Sequence, residues 1–183
     1  MRLFAAIRPP AQVKDHLAAA LAATLGQPEG RSSPLAPQSN WHITLAFYGE
    51  VPNGAVPEWR DALERELARF EPFSLELRGA GVLRRRVGWI GVGGATSVLK
   101  ATMRAAASVA EPMDTGHGAP HPHLTITRSA DRPYVRDALR ALSIYQGPSW
   151  LVEQVELVES QLGRGPANHS LYTPVATVAL PTA

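Results

Sequence analysis

The chain has 183 residues, 45% of them apolar and 19% charged, with no cysteine and a formal charge of +2 at neutral pH. A chain of this length, as one domain or two small fused lobes, buries roughly 70% of its unfolded surface without a disulfide or metal staple. The missing cysteine excludes thiol nucleophiles, thiolate metal sites and disulfide frameworks, and so small a charge excess does not by itself mark a nucleic-acid binder.

Leu3 to Ile7 is an apolar run that ends at Arg8-Pro9-Pro10. It is shorter than the roughly 7–15-residue core of a secretory signal and reads as a strand. Pro9-Pro10 opens a helix with Val13, Leu17, Leu21 and Leu25 at four-residue spacing, ending at Gly26. A Pro/Ser/Gln/Gly-rich loop runs from Gln27 to Ser39, and Asn40 to Tyr48 reads as a strand closed by Val51-Pro52-Asn53-Gly54. Val56, Trp59, Leu63, Leu67 and Phe70 stripe a second helix. Two strand-like runs follow, Phe73 to Leu77 and Val87 to Val92, joined through Arg84-Arg85-Arg86.

The second half repeats this order, with a helix from about Thr96 to Ala110, a Gly/Pro/His loop and a strand from His121 to Arg128. A short helix, Tyr134 to Leu142, precedes two long β-rich segments, Trp150 to Ser160 and Leu171 to Leu180. No apolar stretch approaches a membrane span, and the sequon Asn168-His169-Ser170 is expected to stay unglycosylated. Helices and strands alternate without the regular unit of a doubly wound parallel sheet. The expectation is an α+β fold with largely antiparallel strands.

The chemistry-bearing signal is a pair of motifs, His42-Ile43-Thr44-Leu45 and His123-Leu124-Thr125-Ile126, 81 residues apart. Side chains alternate across a strand. His42 and Thr44 therefore share one face, opposite Ile43, Leu45 and Phe47, and His123 and Thr125 share another, opposite Leu124 and Ile126. One copy alone is ordinary strand sequence around a polar pair. Two copies in equivalent contexts would set two imidazoles and two hydroxyls around one cavity, a set suited to a phosphate ester. One imidazole takes a proton from water, the other gives one to a leaving alkoxide, and the hydroxyls bond the non-bridging oxygens, with no metal or other cofactor required.

With these motifs, the flanks Arg2-Leu3-Phe4-Ala5-Ala6-Ile7, Asn40-Trp41, Ala46-Phe47-Tyr48-Gly49-Glu50-Val51, Val87-Gly88-Trp89-Ile90-Gly91-Val92 and Val158-Glu159-Ser160 make the chain resemble the two-histidine phosphoesterases. Within them it is most similar to the RNA 2',3'-cyclic phosphodiesterases once called 2'-5' RNA ligases. The resemblance implies a single domain over residues 1–183 made of two lobes, each with one His-x-Thr motif facing a central groove. It further implies metal-independent hydrolysis of a 2',3'-cyclic phosphate to a 2'-phosphate, with His42 as proton donor, His123 as proton acceptor, and Thr44 and Thr125 on the phosphate oxygens. Arg128 matches a basic substrate-binding position. Leu83-Arg84-Arg85-Arg86 stands where relatives commonly carry an aromatic and prolines.

Tyr48 and Tyr172 are the expected stacking residues, ahead of Trp41, Phe47, Trp59 and Trp89, and His121 is expected beside the groove. A zinc site of His117, His121 and His123 is a competing reading, weakened by having only Asp114 as a nearby carboxylate. Gly91-Val92-Gly93-Gly94 more simply makes a turn than a dinucleotide site. Arg84, Arg85 and Arg86 read equally as a solvated turn or as contacts to an RNA backbone. The expected partner is RNA or a nucleotide with a 2',3'-cyclic phosphate, acted on by a cytoplasmic monomer without membrane or protein partners. The rival readings are a related enzyme for 2',5'-linked oligonucleotides or ADP-ribose cyclic phosphate with reversible ligase activity, and a non-catalytic nucleotide-binding module.

Overall fold

A computed structural model describes residues 1–25, 33–110 and 121–182. In chain order the elements are β1 (Arg2–Ile7), α1 (Ala11–Leu25), β2 (Ile43–Glu50), α2 (Val56–Leu67), β3 (Phe73–Leu83) and β4 (Val87–Gly94). They continue with α3 (Thr96–Ser108), β5 (His123–Thr127), α4 (Pro133–Ala141), β6 (Gln146–Val152), β7 (Gln154–Gln161) and β8 (Leu171–Ala179). Proline sits in the first turn of α2 and α4 and just before α1, where its fixed φ and missing N–H cost nothing. Val13, Leu17 and Leu21 bury one stripe of α1, and Leu63 and Leu67 bury that of α2.

The strands form one antiparallel sheet in the order β6-β3-β4-β5-β2-β1-β7-β8. The expected α+β class with antiparallel pairing therefore holds, and the centre of the sheet is the β5–β2 junction. On one side lie β2, β1, β7 and β8, covered by α2 and α3; on the other lie β5, β4, β3 and β6, which α4 and α1 pack against. The segment expected as one β-rich run from Trp150 to Ser160 is two strands that break at Glu153, and the break sends β6 and β7 to different halves of the sheet. Neither glycine nor proline marks that break.

One apolar core runs beneath both halves, including Leu3, Ile7, Ile43, Leu75, Ile90, Leu124 and Leu157. A second, small cluster of Phe4, Ala6 and Val158, with Tyr172 against it, lies on the opposite face of β1 and β7. No helix among the described residues is long and apolar enough to cross a membrane.

Candidate active site

β2 and β5 meet at a single register pair, Ile43 opposite Leu124, both fully buried. Carrying that antiparallel register one rung either way sets His42 across from Thr125 and Thr44 across from His123. The four motif side chains thus stand as a square on the face opposite the core, histidine facing threonine on each rung.

Both imidazoles are anchored alike. His42 Nδ1 lies 2.7 Å from the Asn40 carbonyl oxygen, and His123 Nδ1 lies 2.8 Å from that of His121. A carbonyl only accepts, so Nδ1 carries the proton in each ring and donates it, leaving Nε2 for chemistry. The hydroxyls of Thr44 and Thr125 make no hydrogen bond with other described residues and stay available to a ligand.

The surroundings of the two rings differ. His42 packs against Phe4, with centroids 5.0 Å apart, and edge-on to Tyr172 at 5.2 Å. Burial is the largest influence and lowers its pKa from 6.5 to about 4; the hydrogen bond to Asn40 opposes this, while the charges of Arg8 and His123 add to it. Arg8 is placed by the same logic, since Ile7 pairs with Ile43 and the next rung sets Arg8 across from His42. Its Nε lies 2.7 Å from Glu156 Oε2, with only 20% and 17% of the two side chains exposed, and its Nη1 donates to the Ser39 carbonyl at 3.1 Å.

His123 stands beside other partners. Trp89 pairs with Thr125 across β4–β5, and its indole meets His121 and His123 edge-to-face at 5.4 and 6.5 Å. The indole lies over Gly81, where a Cβ would collide with the six-membered ring. The His121 ring is 5.8 Å from that of His123, so the residue contributes both a neighbouring ring and the carbonyl that orients the His123 imidazole.

Strict alternation fails just after each threonine. Between the pairs Ala6–Thr44 and Ala5–Ala46 the register shifts by one, so Leu45 and Ala46 are both buried and Phe47 and Tyr48 exchange faces, until a second shift between Phe4–Phe47 and Leu3–Gly49 restores the phase. Phe47, expected on the core side, is 51% exposed and lies 5.9 Å from Phe4. Tyr48, expected to stack on substrate, is instead 1% exposed: its ring packs on Trp59 at 4.6 Å and its hydroxyl donates to the Ala106 carbonyl. The substrate-binding expectation for Tyr48 is therefore overturned, and burial drives its phenol pKa upward.

β5 shows the same device, because Trp89 pairs with Thr125 but Gly88 with Thr127. Ile126 and Thr127 are both buried, and the shift returns the next position, Arg128, to the register of the Thr125 face just as the strand ends. Arg128 is exposed. Tyr172 stands beside His42, and Asn40 Nδ2 donates to the neighbouring Ser170 carbonyl at 2.8 Å. His117 and Asp114 lie outside the described residues, among which no group of three His, Asp or Glu could hold a metal ion.

A sequence model of the 2'-5' RNA ligase superfamily matches residues 9–164. The chain is 34% identical to an RNA 2',3'-cyclic phosphodiesterase of Aeropyrum pernix over 143 residues, covering 73% of this chain and 80% of that one. A protein of the same description from Thermus thermophilus is also 34% identical, over 88% of this chain and 83% of its own. Crystal structures of E. coli LigT in apo form and with NADP+ superpose with TM-scores of 0.73 and 0.71 at 30% and 29% identity, covering 99% of this chain and 98% of theirs. The chain belongs to the 2'-5' RNA ligase superfamily.

Proposed function

We propose that this chain is a metal-independent phosphodiesterase that opens 2',3'-cyclic phosphates at RNA or nucleotide ends to 2'-phosphates, acting as one domain of two lobes. The observation that carries the reading is the square itself: two imidazoles with the same Nδ1 anchor, each across from a threonine hydroxyl. Relatives described as RNA 2',3'-cyclic phosphodiesterases support it.

A cyclic phosphate seated in the square receives hydrogen bonds from Thr44 and Thr125 on its non-bridging oxygens. His123 Nε2 takes a proton from water as its oxygen bonds to phosphorus, the bond from phosphorus to O3' breaks, and His42 Nε2 protonates O3'. With a pKa of about 4, His42 is neutral in the empty groove at pH 7. The donor role therefore draws on the substrate, whose negative phosphate favours the imidazolium beside it. Arg128, Tyr172 and His121 supply further substrate contacts, and on this reading the protein acts as a cytoplasmic monomer.

Phosphorus NMR of a 2',3'-cyclic nucleotide treated with the protein after exhaustive chelation tests the reaction. The expected product is the 2'-phosphate, at a rate chelation does not change. A predominant 3'-phosphate reverses the donor and acceptor labels, loss of rate on chelation overturns metal independence, and no hydrolysis even before chelation overturns the function.

A further inference from the structure

The β3–β4 connection holds a backbone strain that its sequence does nothing to relieve. Leu83 pairs with Val87, and the Arg86 N–H donates to the Leu83 carbonyl at 3.2 Å, which closes a four-residue turn. Its two central residues, Arg84 and Arg85, have φ of +49° and +61°, so both are left-handed, as in a type I′ turn. Asn-Gly adopts that conformation at little cost, whereas arginine does so against the clash of its Cβ. All three arginines are exposed; Arg84 and Arg85 form no ion pair with the described residues, and Arg86 reaches only Asp131, at 3.9 Å.

The tip is also fixed relative to the site. The Arg86 carbonyl accepts from the Ala130 N–H at 2.9 Å, which ties it to the segment that follows β5, two residues beyond Arg128. Along β4, Trp89 is three residues away, about 10 Å at strand rise. On the opposite side of the groove Arg8 is held by Glu156, and the exposed Phe47 ring lies beside Phe4.

We propose that the Arg84–Arg86 hairpin clamps the backbone of single-stranded RNA leading into the groove, so that polynucleotide ends are preferred over cyclic mononucleotides. This rests on the phosphodiesterase reading. A 2',3'-cyclic phosphate closes the 3' end of a strand, so the remaining nucleotides leave the groove on one side, each with an anionic phosphate. A fixed cationic tip on the His123 side meets that chain, and contacts to phosphate need no sequence readout. Arginine at two left-handed positions keeps the charges at the apex of a rigid turn, where Asn-Gly would give a better turn and no charge.

The test compares the full-length protein with Arg84→Asn/Arg85→Gly, using a cyclic mononucleotide and a decanucleotide ending in a 2',3'-cyclic phosphate, across a range of salt. The variant should melt at a higher temperature and hydrolyse the mononucleotide as the wild type does. On the decanucleotide it should lose about tenfold in kcat/KM at low salt, and its log–log salt dependence should be shallower by about 1.4, the value for two phosphate contacts on a single strand. Unchanged decanucleotide kinetics, or equal losses on both substrates, overturn the clamp. If the wild type hydrolyses neither substrate, the phosphodiesterase reading fails instead, and fluorescence anisotropy of an RNA with a 3'-terminal phosphate then decides the clamp. Retained affinity in the variant, or tighter binding of an acidic peptide than of RNA, overturns it.

Discussion

The two halves of the sheet carry the same device and furnish it differently. Each has a histidine whose Nδ1 is tied to the carbonyl two residues earlier, a threonine two residues later, and a one-residue register shift immediately after it. The side chain returned to the groove face by that shift is Phe47 in one half and Arg128 in the other. Around His42 the walls are Phe4 and Tyr172, while His123 has Trp89 and His121. Backbone hydrogen bonds thus hold the two imidazoles in a symmetric frame, and the walls around them are unequal. In the empty groove that inequality opposes the donor role, because burial leaves His42 neutral, and it is an anionic phosphate beside the ring that would restore the proton His42 gives.

The sharpest way to break the comparison is to remove each ring in turn. His42→Ala and His123→Ala should each lower kcat by about 10²–10⁴-fold, the loss expected for a positioned acid or base, with folding retained because Ile43 and Leu124 keep their core contacts. Near-normal turnover by either variant would show that the two halves do not share the work.

Next in size is an acid sensitivity specific to the aromatic half. The pKa of His42 falls from 6.5 in the unfolded chain to about 4 in the folded one, so the unfolded chain binds more protons between those values. Stability from this group is complete above pH 6.5 and is lost as the pH falls towards 4, by up to about 3 kcal/mol. Urea unfolding at pH 7 and pH 4.5 should show His42→Gln losing less stability than wild type; an equal loss would mean that the ring is not desolvated.

Smaller effects examine the square. Thr44→Val and Thr125→Val should each cost about 1.5–3 kcal/mol in kcat/KM, as for one hydrogen bond to an anionic group. Similar losses support equivalent rungs, whereas a silent substitution removes that hydroxyl from the phosphate. The smallest effect concerns Arg8, whose charge adds to the lowering of the His42 pKa. In Arg8→Gln/Glu156→Gln, NMR titration should find the His42 pKa moved upward; no movement would detach the ion pair from the ring it faces.

Much of this site was legible from residue types and spacing. Two His-x-Thr motifs in strand context give the histidine and threonine face, and Ile43 and Leu124 give the core face. What alternation could not supply is the pair of register shifts. Leu45-Ala46 and Ile126-Thr127 are adjacent buried residues that a strict two-residue period assigns to opposite faces. Hence strict alternation gives Tyr48 the place that Phe47 occupies, while Arg128 reaches the register of the groove face through a shift its own sequence does not announce. The Arg8–Glu156 pair was invisible for another reason, since its partners are far apart in sequence and meet only because β1 lies between β2 and β7. Phe4 and Ala6 of β1 and Arg8 just beyond it fall on one face of an extended chain, and that is the hint the sequence offers.

The interleaving of the strands has a consequence for the order in which the protein can be assembled. Every strand of the His123 half lies between Phe73 and Val152, whereas the His42 half needs β1 and β2 from early in the chain and β7 and β8 from beyond Gln154. During synthesis the His123 half can close upon itself while the His42 half waits, its β1 edge unpaired, for β7 and β8. Tyr172 and Glu156, which flank His42 and Arg8, arrive with those strands. The His123 half can therefore be framed while His42 still lacks the wall of Tyr172 and Arg8 still lacks its partner Glu156.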